Sequence, residues 1–105
     1  MPIITSGTGV ITQINVFTCL PANQAALIAL LSEGAASVSD VEGWMSASIH
    51  RGLDGDKVVN YAQVSDQAAQ ERVMARLRAS DFFARNAALG TAHPGLYEVA
   101  VTLGR

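Results

Sequence analysis

Four segments rich in β-branched and aromatic residues, two longer segments with apolar residues at helical spacing, and an Asp-Gly pair between the second and third β segments predict an α+β fold. In chain order the elements run β-α-β-β-α-β. That is the ferredoxin-like, split βαβ arrangement, an antiparallel sheet with helices on one face.

Each element has its own signal. Residues 1–8 contain Pro2 and Gly7, show little period and read as a loose N-terminal arm, leaving residues 9–105 as one domain. Val10 to Thr18 is the first strand, with Val10, Thr12, Ile14 and Val16 on one face and Ile11, Gln13, Asn15 and Phe17 on the other. Leu20-Pro21-Ala22-Asn23 opens a helix whose apolar stripe is Leu27, Leu30, Leu31, Gly34 and Val38. Asp40 and Gly43 mark its end and the turn that follows. Trp44 to Arg51 and Lys57 to Val64 are the second and third strands, joined by the Gly52–Asp56 turn as an antiparallel hairpin. Ser65-Asp66 caps a second helix with Val73, Met74 and Leu77 as its stripe. Ser80-Asp81 caps a short helix through Leu89 that buries Phe82, Phe83 and Leu89. Gly90 to Gly95 reads as a loop and Leu96 to Leu103 as the last strand.

The strands carry apolar side chains on both faces. Val58, Ala62 and Val64 lie on one side of the third strand, Val59 and Tyr61 on the other. Helices cover only one face, so the other calls for a second copy of the chain, and a homodimer is expected. Composition agrees: half of the 105 residues are hydrophobic and 15% are charged, an apolar balance for so small a domain.

Several function classes are excluded. The net charge is −2, and the densest basic group, Arg72, Arg76 and Arg78, has the spacing of a solvated helix face, so nucleic acid is not an expected partner. The first charged residue is Glu33, but polar residues interrupt the uncharged start, and no run approaches the roughly 18 apolar residues of a membrane span. No lysine or arginine precedes the first apolar residues, so a signal peptide is not supported. Cys19 is the only cysteine, which forbids an intrachain disulfide and fits a reducing, cytoplasmic compartment. At a strand end it reads as a packed thiol. Two histidines, His50 and His93, cannot build a three-histidine zinc site, and the glycines form no nucleotide fingerprint.

The residues that stand out are amides inside apolar strands. Asn15 sits between Ile14 and Val16, and Asn60 between Val59 and Tyr61. Asparagine is depleted in strands, and a buried amide costs free energy unless its donors and acceptors are met. Either each amide ties down neighbouring backbone, or the two are neutral hydrogen-bonding groups in an apolar pocket, able to hold an oxygen as charge develops on it. His50 reads as an edge histidine and Trp44 as a core or interface anchor.

Gly43-Trp44-Met45-Ser46-Ala47-Ser48-Ile49-His50, Leu53-Asp54-Gly55 and Val58-Val59-Asn60-Tyr61-Ala62-Gln63 together resemble the antibiotic biosynthesis monooxygenase family. Asn15-Val16-Phe17 and Pro94-Gly95-Leu96-Tyr97-Glu98-Val99 fit it too. The resemblance implies a dimeric α+β barrel that oxidises a small phenolic or anthrone-like aromatic with molecular oxygen, using no flavin, haem or metal. It places Asn15, Asn60 and Arg85 in catalysis, with Phe17, Trp44 and Val64 around the substrate. The departures are Val64, where the quinone-forming members carry tryptophan, and Gln70, nearest to a family tyrosine. Two other readings stay open: a non-catalytic dimer module binding a small ligand, and an isomerase of the same superfamily using His50 as base. Haem breakdown is disfavoured, because Ser65 to Leu89 offers no histidine to ligate iron.

Overall fold

In the computed structural model, which describes residues 1–105, the elements are β1 (Ile11–Thr18), one 3₁₀ turn (Pro21–Asn23), α1 (Gln24–Ser37), β2 (Trp44–Arg51), β3 (Lys57–Val64), α2 (Gln67–Arg78), α3 (Phe82–Leu89) and β4 (Thr91–Tyr97). The order is the βαββαβ pattern, with its second helix in two pieces. The four strands form one antiparallel sheet in the order β2-β3-β1-β4. No helix is long and apolar enough to cross a membrane.

Local chemistry accounts for most boundaries. Pro21 fixes the first turn of the helical segment. The Asp66 carboxylate accepts a hydrogen bond from the Ala69 N–H at 2.8 Å and starts α2. Gly43 turns the chain into β2 at a φ of 91°, and a side chain there would strike Ala69 and Ser65. The β2–β3 hairpin closes with Gly52 N–H on the Lys57 carbonyl at 2.9 Å, and Gly55 takes a φ of 89°. Lys57 bridges Asp54 and Asp56 at the surface. Their contact holds the Asp54 carboxyl below its ordinary range and the Lys57 ammonium above its own.

All five residues of the α1 stripe are buried. Leu27, Leu31 and Val38 meet the sheet in two separate clusters. At one end Phe17 and Val58 pack with Leu27 and Leu31. At the other, Val64 packs with Val38, Val41, Ala69 and Val73, flanked by Ile11, Trp44 and Leu77. Between these ends the helix-facing residues of the two central strands are Gln13 and Asn15 on β1 and Asn60 and Ala62 on β3, with Ala47 beside them on β2. Small and polar side chains stand where a continuous core needs large apolar ones, and the core is split there.

Four expectations change. Phe83 on α3 is exposed rather than buried. The last strand begins at Thr91, not Leu96, because Pro94 and Gly95 lie on an edge strand, where a missing N–H is tolerated. It also ends at Tyr97, because β1, its only neighbour, begins at Ile11, and Thr12 already pairs with Tyr97. The N-terminal arm has no strand or helix, yet it is pinned. Gln63, fully buried, accepts from Ile3 N–H and donates to Ile3 C=O, both at 2.6 Å, and reaches Thr12 Oγ1 at 3.2 Å.

The arginines of α2 behave as a surface face. Arg72 donates to the Glu42 carbonyl, and Arg76 to the Ser37 carbonyl and the Asp40 carboxylate, fastening α2 to the α1–β2 connection. The opposite sheet face carries no helix. On the central strands Ile14 pairs with Tyr61 and Val16 with Val59, and all four are partly exposed.

Candidate functional site

The split core encloses a cavity of about 440 Å³ between the sheet and the three helices. That is within the roughly 300–1,000 Å³ of small-molecule sites. Its floor is the sheet: Gln13, Asn15 and Phe17 from β1, Asn60, Ala62 and Val64 from β3, Trp44 and Ala47 from β2. Its roof is helical, with Gly34 and Val38 from α1, Gln70, Val73, Met74 and Leu77 from α2, and Phe82, Phe83 and Asn86 from α3.

Asn15 and Asn60 are direct cross-strand partners on the floor. The Asn15 amide is oriented by β4: its Oδ1 accepts the His93 backbone N–H at 3.1 Å. Because that N–H can only donate, the Asn15 amide is fixed oxygen to β4, and its two N–H donors are left for other partners. Asn60 makes no side-chain hydrogen bond, and its Oδ1 is sealed from solvent without a partner. Asn86 repeats this on the roof. It is 7% exposed, and its Oδ1 is likewise buried and unpartnered. Buried polar groups are ordinarily satisfied, so two orphaned amides in one cavity mark a place where a ligand or ordered water completes the bonding.

Asn86 escaped the sequence reading, although its signal was there. It stands four residues after Phe82 and three after Phe83, an amide inside an apolar helical stripe. Arg85, one position earlier, is turned about 100° away around the helix. The structure keeps it out of the cavity. Its Nη1 and Nη2 donate to Glu33 Oε1 and Oε2 at 2.9 and 3.1 Å on the outer surface, clasping α3 to α1. The pair holds the Glu33 carboxyl below its usual range and the Arg85 guanidinium above its own. In this chain the inward polar residue of α3 is Asn86.

The other sequence candidates are brought together. Phe17, Trp44 and Val64 all line the cavity. Trp44 and Val64 are direct partners across β2 and β3. The chain's only tryptophan thus stands directly opposite position 64, where the resemblance places an aromatic ring. A bulge makes this possible. The register shifts between Trp44 and Ser46, so Trp44 and Ala47, three residues apart, share the helix-facing side. His50 is exposed, pairs with Val59 and lies on the opposite face from Asn60, and His93 is also exposed. Cys19 packs beside the Phe17 cluster.

The walls contain no aspartate, glutamate, histidine, cysteine, tyrosine, lysine or arginine. Their polarity comes from five primary amides and Thr91. Nowhere do three or more His, Cys, Asp or Glu side chains gather as metal ligands. Such a site can orient oxygens and stabilise an anion through N–H donors, but it offers no side chain to take a proton.

The sequence matches no protein-family model and no curated protein. Solved structures do match. SnoaB, a cofactor-independent oxygenase from Streptomyces nogalater, is 25% identical with a TM-score of 0.79, over 92% of this chain and 99% of that one. The monooxygenase ActVA-Orf6 of Streptomyces coelicolor, in complex with nanaomycin D, is 24% identical with a TM-score of 0.75, over 93% of each chain. A candidate antibiotic biosynthesis monooxygenase from Chloroflexus aurantiacus is 19% identical with a TM-score of 0.71, over 90% of this chain and 97% of that one. The chain has the fold of the antibiotic biosynthesis monooxygenases.

Proposed function

We propose that this protein is a cofactor-independent monooxygenase acting, as a homodimer, on a small phenolic or anthrone-like aromatic. The observation that carries the reading is the cross-strand pair Asn15–Asn60 on the floor of an apolar cavity with an aromatic wall. The fold it shares with SnoaB, a cofactor-independent oxygenase, supports the reaction class.

In this reading the aromatic body lies between Phe17, Trp44 and the phenylalanines of α3. Its phenolic oxygen faces the two sheet amides, whose N–H groups stabilise the oxyanion formed when the phenol gives its proton to water or hydroxide. The electron-rich anion passes an electron to molecular oxygen, and recombination forms a carbon–oxygen bond to a hydroperoxide. Loss of water then leaves a quinone carbonyl. One oxygen atom enters the product and the other leaves as water. The isomerase alternative loses its base, because His50 is on the other side of the sheet.

The test is oxygen uptake by the purified protein with an anthrone and naphthol panel, without added cofactor. Turnover with one labelled oxygen atom from ¹⁸O₂ in the quinone is expected. Asn60→Ala should lower kcat by about 10²–10³, the range for losing one oxyanion donor. Tight binding without uptake across the panel would overturn catalysis and leave the ligand-binding module. An Asn60→Ala variant of unchanged kcat would remove the amide from the chemistry.

A further inference from the structure

A second cavity of about 410 Å³ opens between α2 and β4 and shares Gln13, Gln70, Met74 and Pro94 with the first. The two adjoin at these four residues and have unlike linings, which makes an inner and an outer half. The inner half is mainly apolar. The outer half is walled by Gln13, Gln67, Gln70, Glu71 and Arg78, and Met74 and Leu96 are its large apolar residues. Gln70 stands at the junction. It is 7% exposed, its side chain hydrogen-bonds to no protein group, and it lines both halves. Its stem is buried, while its amide atoms, unlike the Asn60 and Asn86 oxygens, stay open to the space at the junction. An amide held open at the neck is placed to hydrogen-bond a polar group passing through.

We infer that the site takes a two-part ligand: an aromatic body in the inner cavity and a neutral, hydroxyl-bearing arm that crosses Gln70 into the outer chamber. This rests on the aromatic-ligand reading above and adds what is attached to the aromatic. The chemistry of the chamber selects the arm. Primary amides both donate and accept, which matches hydroxyl groups that do the same. A carboxylate only accepts. Arg78, the one arginine of α2 with neither a carbonyl nor a carboxylate partner, would attract it, but Glu71 in the same wall would repel it. The two charges leave the chamber without a net preference for an ionic arm.

The sole tryptophan lies in the inner wall, so its fluorescence reports occupancy without a label. The probes are 1,5-dihydroxynaphthalene, its mono-β-glucoside and its mono-carboxymethyl ether. The glucoside should bind about tenfold more tightly than the parent diol, and the carboxymethyl ether more weakly than the glucoside. Gln70→Met, which keeps the volume, should bring the glucoside and the diol within about twofold of each other. Gln67→Ala, at the exposed rim, should reduce the same ratio by a smaller factor if Gln70→Met fails to fold. A wild-type protein that binds diol and glucoside equally overturns the two-part ligand, as does an advantage that survives both substitutions or a carboxymethyl ether that binds best. Failure of the diol itself to bind overturns the aromatic reading, and the arm with it.

Discussion

The pairing of Trp44 with Val64 is decided by single side chains. Position 64 lies four residues from Asn60 on one strand face, where an aromatic ring would stack beside a ligand oriented by that amide. Valine removes the ring from β3, and Trp44 returns one from β2 at the directly opposed position. The two should therefore behave as one unit. Trp44→Val should weaken binding of an aromatic ligand about tenfold, and Val64→Trp should weaken it by crowding a cavity already holding an indole. The double exchange should recover most of the loss, a coupling readable in a double-mutant cycle. Additive losses would show that the two positions act separately. A second prediction follows from the absence of any titratable residue in the inner cavity wall, Glu71 and Arg78 lying only in the outer chamber. With no protein base, the rate should rise about tenfold per pH unit until the substrate phenol ionises and then level off. Across substituted phenols the inflection should move with the phenol pKa, and an inflection fixed at one pH would reveal a protein group in the reaction.

At the scale of elements, the legible parts were those set by local chemistry. The α1 stripe, the Asp66 cap and the Gly52–Asp56 hairpin could be read because each is a pattern over a few residues. The illegible parts depend on neighbours. Pro94 and Gly95 look like a loop until β4 is known to be an edge, and the tail after Tyr97 looks like a strand until β1 is seen to run out. The β2 bulge has no glycine to announce it. Of the site, Asn15 and Asn60 stood out because strands shun asparagine. Asn86 is a weaker signal, because amides are ordinary in helices, and Gln70 is marked in the sequence only as a departure from the family pattern; packing shows that both face inward. The fit of α3 on α1 is another such feature. Gly34 leaves room for the Phe82 ring, which an added Cβ would strike. Gly34→Ala gains helix propensity, yet it must push Phe82, a wall residue, toward the cavity. A net destabilisation of ~1–3 kcal/mol is expected from the forced repacking. Calorimetry measures the stability, and a ligand titration should show the cavity reduced. A stabilised variant with full binding would mean that α3 shifts outward freely despite the Arg85–Glu33 clasp.

Across the whole molecule, the unresolved demand is for cover. One face of the sheet lies under three helices, while Ile14, Val16, Val59 and Tyr61 form a contiguous apolar quartet on the other. The pinned N-terminal arm reaches only the end of this face, at Gln63 and Thr12. The tail points the same way: Tyr97, Val99, Val101 and Leu103 alternate as strand residues do, yet Val101 is 69% and Leu103 95% exposed within one chain. A second copy would cover the quartet and give the tail a surface to pack on. Val59→Glu tests this, because its cost depends on whether that cover exists. In a monomer Val59 is only partly buried, and a surface substitution of this kind changes stability by about 0.5 kcal/mol or less. In a dimer the same carboxylate is buried without a partner, a penalty of about 3–5 kcal/mol, or roughly 10²–10³ in the dissociation constant. Sedimentation should therefore show a wild-type dimer and a folded, monomeric Val59→Glu variant. The wild-type melting temperature should rise with protein concentration, as that of an associating protein does, while the variant's should not. A wild-type protein that sediments as a monomer at every concentration would leave the apolar quartet open to water and overturn the dimer.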